Sequence, residues 1–302
     1  MNLSEIAIAF RGCNAETNTF SFKDYKESLK SQGSDFKTAM IVDNVNNYIL
    51  YDCEKLLTKS VLNIIAADLL LQKGLFNWSF VSSYYSSFFT IQALNRLQLN
   101  FSAFDLKCEL VNYSKKEVKL TKYSSSKGSH IEQFGTYQNE NLKEYKKDSV
   151  DRFWNLGLAN FEDLQGYGSE HGLRNAVNYY LSKSDNFYYE LDLEDVDFKK
   201  IVKDNCRSPF LFEKDTLPVP PNFAKKAIKI GTARIRVLSY VLNYLANYNA
   251  EYKSYYVRNM KQRIVPIEAR YPFISPWLLV HLKDWLRYNP IYVEEVSPII
   301  KS

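Results

Sequence analysis

Apolar positions recur at intervals of three and four over two long stretches. In the first, Ile41, Val45, Tyr48 and Ile49 lead into Leu56, Leu57, Val61, Ile64, Ile65, Leu69 and Leu70. That spacing predicts a long helix over 38–72, with Asp52 marking a break between two helices. Gly74 then suits a helix C-cap, and Asn77 suits the N-cap of a second helix that runs to about Leu99. Tyr84, Phe88, Ile91 and Leu94 form one stripe of that helix, widened by Tyr85, Phe89 and Ala93. Ser82, Ser83, Ser86 and Ser87 are small enough for close helix contact. Together the two helices read as an antiparallel hairpin with a short turn.

The rest of the chain patterns less evenly. Ile6, Ile8 and Phe10 alternate like a short strand in a peripheral segment, 1–37. Residues 100–150 read as an irregular insertion holding short strands or one broken helix, with a Ser- and Lys-rich loop at 122–128. A helix carrying Phe153, Trp154 and Leu158 can begin after Ser149. Another, after Gly166 and Gly168, would carry Leu173, Ala176, Val177 and Tyr180. Pro209, Pro218, Pro220 and Pro221 make 207–222 the best boundary or lid. Beyond it, Phe223, Ala227, Ile230, Leu238, Val241 and Leu245 predict a helix over 223–257, and a further helix lies between Pro276 and Arg287. The expected architecture is mainly α: a core at 38–205, with the 100–150 insertion, and a helical region at 206–302.

Charge changes the picture of that last region. The chain has 39 Lys and Arg against 34 Asp and Glu. From Asn222 onward the counts are 13 and 5, which leaves 26 and 29 for the first 221 residues. A basic C-terminal third fits an anionic partner as well as it fits a solvated face. Arg234, Arg236, Lys253, Arg258, Lys261 and Arg263 could track a phosphate backbone while Tyr252, Tyr255 or Tyr256 stack on bases. Tyr240, Tyr244 and Tyr248 share a helix face, which suits ordinary packing first.

Several chemistries find no pattern. Cys13, Cys53, Cys108 and Cys206 are too widely spaced for a CxxC pair, and the three histidines have no metal-site spacing. No metal or cofactor is expected, and no Gly-rich phosphate loop is present. No apolar run approaches the ~18 residues of a membrane span. The N-terminus lacks a basic region followed by an apolar core, so no signal peptide is expected. Reduced cysteines fit a cytoplasmic protein. His130 follows the loop "SSSKGS" and either approaches an anion or stands on a loop surface. His281, among Trp277, Leu278, Leu279, Leu282 and Trp285, reads as a packed or rim histidine.

The hairpin from about Leu56 to Leu97, with its segment "GLFNWSFVSSYYSSFFTIQALNRL", resembles the HEPN superfamily of all-helical domains. "SEHGLRNAVNYYL" (Ser169 to Leu181) resembles the second element of that family, on a later helix. The resemblance implies an antiparallel helical bundle with an added C-terminal extension. It further implies an association with RNA or another nucleic acid, and in some members metal-independent RNA cleavage in prokaryotic antiviral defence or toxin–antitoxin systems. Those members carry an arginine, a polar residue and then a histidine after four to six intervening residues. Arg174 and Asn175 match the opening, whereas Tyr179 and Tyr180 stand where the histidine is expected, and His171 precedes the arginine.

Metal-free RNA cleavage needs a base near the 2′-hydroxyl, a cation at the phosphate and a proton for the leaving oxygen. His171 could exchange protons near neutrality, and Arg174, three residues on, could hold phosphate oxygens in a fork. Asn175 could orient a hydroxyl and Tyr179 could donate a proton. The same residues also serve as a helix cap, an ion-pair partner and a packing ring. The alternative reading is a noncatalytic interaction module. In it Trp78, Tyr84, Tyr85, Phe88 and Phe89 form a face that pairs with a second copy or holds a partner protein.

Overall fold

The computed structural model describes residues 3–13, 21–42, 45–112, 115–124, 130–137 and 221–288. These residues are mostly helical, with one small antiparallel sheet. In chain order the elements are α1 (Leu3–Ala9), α2 (Phe22–Ser31), β1 (Met40–Val42), α3 (Asn46–Gln72) and α4 (Phe76–Leu97). Three strands follow, β2 (Asn100–Ala103), β3 (Leu106–Asn112) and β4 (Glu117–Lys122). After a helical segment at 130–137 come α5 (Pro221–Tyr248), α6 (Ala250–Arg270) and α7 (Pro276–Trp285).

The α3–α4 hairpin is the centre of the molecule. α3 ends as Gly74 suggests. The glycine takes φ +80°, its N–H donates to the Leu71 carbonyl and the Leu75 N–H donates to that of Leu70. That pair of bonds is a Schellman cap, and its left-handed position favours glycine. Serines bring the two helices together. Ser60 Oγ donates to the Ser86 carbonyl at 2.8 Å and lies 2.6 Å from Thr90 Oγ1. Ser79 Oγ donates to the Ala67 carbonyl at 2.7 Å. A short hydroxyl side chain lets the backbones approach and satisfies its own polarity in the contact.

α5 lies across both helices of the hairpin. Gly231 sits at the closest point. A Cβ there would stand 2.8 Å from Ile64 Cδ1 and 3.5 Å from the Ser83 carbonyl oxygen. The buried face of α5, including Ile228, Ile235, Leu238, Val241 and Leu242, joins the same core as Ile64, Ile65, Ile91 and Leu94.

The long pattern over 223–257 is divided between two helices. Asn249 leaves helical geometry (φ −133°, ψ 102°) and caps α6 by accepting from the Tyr252 N–H. Its Nδ2 donates to the carbonyls of Phe10 at 3.1 Å and Cys13 at 2.8 Å. One buried amide at the junction of α5 and α6 therefore caps α6 and bonds the chain just past α1. The core carries on across the break through Tyr252 and Tyr256, which keeps the apolar pattern unbroken in sequence. Tyr252 Oη donates to the buried Glu54 carboxylate at 2.6 Å. Burial and that carboxylate push the Tyr252 phenol well above its ordinary value.

Three other elements differ from their patterns. Residues 6–10 belong to a helix, not a strand: Ile6, Ala9, Phe10 and Cys13 are buried and recur at three and four, while Ile8 is exposed. The helix expected from 38 begins at Asn46, because Met40–Val42 pair with Val118–Leu120 as an edge strand. Asp52 does not break α3. It faces Arg96 of α4 at 3.6 Å, with both side chains nearly covered. Asn77 is inside α4, and Leu75 is the residue at its N-cap.

The sheet has the order β1-β4-β3-β2. Its register aligns Leu120, Cys108 and Phe101 on the buried face and Lys119, Glu109 and Asn100 on the other. Period-two alternation sets this arrangement. The β2–β3 turn is Phe104–Asp105, both at positive φ (53° and 63°). Lys26 of α2 holds it, donating to the Phe104 carbonyl and lying 3.9 Å from Asp105. α2 itself starts with a Ser21–Asp24 capping box and packs Phe22 edge-on against Phe101 at 5.2 Å.

α7 is fastened to the far end of α3. The buried Asp68 accepts from the Ser275 N–H at 2.8 Å, bonds the Ser275 hydroxyl, and accepts from Gln72 Nε2 at 2.9 Å. Gln72 also donates to the Phe273 carbonyl.

Two outcomes check this account. In Gly231→Ala an overpacking cost of about 1 kcal/mol, limited because Ile64 Cδ1 is the movable end of a side chain, should be largely cancelled by the ~1 kcal/mol helix-propensity gain of alanine. The overpacking cost should shrink when Ile64 is shortened to Val, as read by urea denaturation of the single and double variants. Asn249→Ala should cost about 1–3 kcal/mol, because a cap is lost, the Cys13 carbonyl loses the Asn249 donor and the Phe10 carbonyl keeps only the Cys13 N–H. Asn249→Asp keeps the acceptor and should protect the start of α6 from amide exchange without restoring full stability.

Candidate functional site

His171, Arg174, Asn175 and Tyr179 lie outside the described residues. The other candidate residues separate into an interior group and a surface group.

The aromatic stripe of α4 is split by burial. Trp78, at the start of the helix, is 57 % exposed. Tyr84 and Phe88 are buried, and Tyr85 and Phe89 are half-buried. Tyr84 and Phe88 are covered by segment 130–137. His130 is stacked on Phe88 with ring centres 3.9 Å apart, and its Nδ1 lies 2.9 Å from Tyr84 Oη. Phe134 stacks on Tyr84 at 5.6 Å. Asn95 secures the segment by donating to the backbone and side-chain oxygens of Gln133, both at 2.9 Å. Gln133 Nε2 in turn donates to the Ser102 carbonyl at 2.8 Å. His130 is thus a half-buried member of an aromatic stack, not a loop-surface histidine. Its partners lie more than forty positions upstream, so no local spacing announces it.

Arg234 belongs to this interior. It is 1 % exposed and its guanidinium lies 5.6 Å from the Phe134 ring centre. Burial pushes the neighbouring Tyr137 phenol up to about 12, with the Arg234 charge opposing the rise. Arg234 was expected among the phosphate-tracking cations, but its place on the inward face of α5 removes it from any backbone-binding row.

The surface group remains cationic and aromatic. Arg236, half-buried on α5, lies over Trp285 of α7 at 5.7 Å. Lys253, exposed on α6, lies over Tyr288 at 5.0 Å. Arg258, also exposed, lies over Tyr255 at 6.0 Å. Lys261 and Arg263 are on the α6 backbone, and their side chains lie outside the described set. Tyr252 and Tyr256 are buried, so of the three tyrosines expected to stack on bases only Tyr255 is partly open. Tyr244, on the shared face with Tyr240 and Tyr248, is core, and its ring is 4.7 Å from that of Tyr248. A cation over a ring face gains electrostatic energy and keeps the ring oriented.

α7 adds residues to this group. Trp277, His281 and Trp285 follow one another at four-residue spacing, with ring centres 6.0 Å and 4.8 Å apart. His281 is exposed. The i, i+4, i+8 spacing is visible in the sequence, but the pairing of Trp285 with Arg236 is not.

Among the described residues, no group of three or more His, Cys, Asp or Glu is arranged to hold a metal ion. No described helix is long and apolar enough to cross a membrane. The described cysteines Cys13, Cys53 and Cys108 are buried and reduced, and burial raises all three thiols, that of Cys13 to about 11.

Tyr84→Phe removes only the hydroxyl at His130 and should cost about 1 kcal/mol. Phe88→Ala removes a ring of the stack and should cost about 3–5 kcal/mol. Denaturant midpoints of the two variants check the order. Comparison of the chain with protein-family models, with curated proteins and with solved structures gives no match.

Proposed function

We propose that the protein binds nucleic acid through the cation–aromatic surface of α5–α7. The observation that carries the reading is the set of three cation–ring pairs, Arg236–Trp285, Lys253–Tyr288 and Arg258–Tyr255. They lie in a stretch, 221–288, with 12 Lys and Arg against 3 Asp and Glu. Phosphates need cations that can exchange for counterions, and unpaired bases need flat faces. Each pair sets a cation beside a ring, and the ring face turned away from its cation is the one that could take a base.

RNA is the class of nucleic acid that the HEPN resemblance implies. In that reading the α3–α4 hairpin is the bundle's first element, and Ser169 to Leu181 brings His171, Arg174, Asn175 and Tyr179 for cleavage without a metal. The basic surface would hold the strand and the His171–Arg174 pair would cut it.

Binding of a labelled oligoribonucleotide, followed by fluorescence anisotropy at rising salt, tests the surface. The double variant Lys253→Ala/Arg258→Ala should bind more weakly, and its log–log salt slope should fall by about 1.4, from ~0.7 per phosphate contact on a single strand. An unchanged slope in the folded double variant would remove these two residues from the interface. Product ends report separately on cleavage. A 2′,3′-cyclic phosphate that disappears in Arg174→Ala supports the cleavage reading, and equal cleavage by both proteins rejects it.

A further inference from the structure

α7 is apolar on two sides. Leu278 and Leu282 are buried against the core. Trp277 is nevertheless 42 % exposed, Val280 62 % and Phe273, just before the helix, 76 %. Large side chains grouped on an outer face in this way mark a binding surface.

The geometry of the outer face favours flat ligands. His281 stacks on Trp285 at 4.8 Å with planes 15° apart. Trp277 meets His281 edge-on at 6.0 Å. The ladder has a cation at one end, Arg236 over Trp285, and an open indole at the other. It continues into the phosphate-binding set. Tyr288 lies three residues past Trp285 and carries Lys253 over its ring. Tyr288 also meets Tyr256 of α6 at 6.5 Å. Charge near the ladder is mixed but net basic: Arg270 and Arg287 are exposed near the two ends of α7, Lys283 and Glu268 pair with each other, and Asp284 is an exposed acid one position before Trp285.

We infer that the Trp277–His281–Trp285 face of α7 is a base-stacking subsite for an unpaired segment of a single nucleic-acid strand. The strand's phosphates run past Arg236 and Lys253, and an unpaired base lies on the open face of Trp277. A buried-core role does not account for the exposure of Trp277 and Val280. A purely aliphatic docking face does not account for a cation-terminated aromatic ladder. This inference rests on the nucleic-acid reading above and deepens it from phosphate attraction to recognition of bases.

The test uses the full chain and two strands of equal length and charge, oligouridylate and an abasic sugar–phosphate strand. Wild type should bind the base-bearing strand at least about 5-fold more tightly, the lower end of what one stacked base contributes. Trp277→Ala should erase that difference while leaving the abasic strand unaffected, and Trp277→Phe should restore most of it. Equal binding of the two strands by wild type, or a loss in Trp277→Ala that is the same for both strands, overturns the subsite and leaves the phosphate-binding surface standing. Failure of wild type to bind either strand at low salt overturns both readings. If light scattering shows a dimer that Trp277→Ala dissociates, the face belongs to a second copy of the chain and the subsite is overturned. Trp277 is partly exposed, so its replacement tests the surface without opening the core.

Discussion

The close approach of α5 to the α3–α4 hairpin is the constraint on which the rest of the structure depends. It is closest at Gly231, where an added Cβ would press on Ile64 Cδ1, and small hydroxyl residues stand where α3 and α4 meet. Glycine inside a helix costs about 1 kcal/mol relative to alanine. That cost is offset by the packing of a long helix against two others. Once α5 is seated, its Asn249 end meets the end of α1, and α6 leaves from a fixed point. The side of α5 turned away from the hairpin then carries Arg236 out to Trp285.

Buried polar groups act as fasteners between elements distant in sequence. Asp68 holds the start of α7, Asn249 joins α1 to the α5–α6 break, and Glu54 receives the Tyr252 hydroxyl. Each lies in surroundings where an unmet hydrogen bond would cost more than a met one contributes. Such groups add specificity of position more than net stability. Asp52 and Arg96 show the balance. Burial alone raises the Asp52 carboxyl and lowers the Arg96 guanidinium, and each partner's charge opposes the other's shift. The ion pair offsets desolvation only in part: both shifts stay on the side of burial, and Arg96 Nε, 3.6 Å from Asp52 Oδ2, makes no hydrogen bond.

The hairpin was legible in sequence because its signals are local. Three-and-four periodicity identifies both helices, and a glycine at the right place marks the turn between them. Gly231 lies inside the periodic stretch after Ile230, and α5 runs through it. The strands were harder. A two-residue turn with positive φ at both positions is expected from Asn-Gly or Asp-Gly. Here it is Phe104–Asp105, held by a lysine 78 positions away, so nothing local separates the hairpin from a broken helix. The break at Asn249 was hidden for the opposite reason: the apolar pattern is right on both sides, and only the contacts to α1 decide that the chain turns. The first helix misread as a strand shows the weakness of short windows. Ile6, Ile8 and Phe10 fit period two over five residues, and only the buried set Ile6, Ala9, Phe10 and Cys13 selects the helix.

Charge in the sequence and charge on the surface are different quantities, and the C-terminal helices show why. Arg234 and Arg236 are two residues apart on α5, so they point to different sides of a helix of about 3.6 residues per turn. Arg234 goes inward to Phe134, and Arg236 goes outward to Trp285. A count of basic residues treats them alike. Only the outward member reaches the half-exposed surface. The same division runs through the tyrosines of α6, where Tyr252 and Tyr256 complete the core and Tyr255 remains partly open beneath Arg258. The helical period therefore sorts one run of Tyr, Lys and Arg into a core that fixes α6 and a surface that can meet an anion. Both roles depend on the same register, because turning α6 by one residue would bring Lys253 or Glu251 to the place where Tyr252 closes the core.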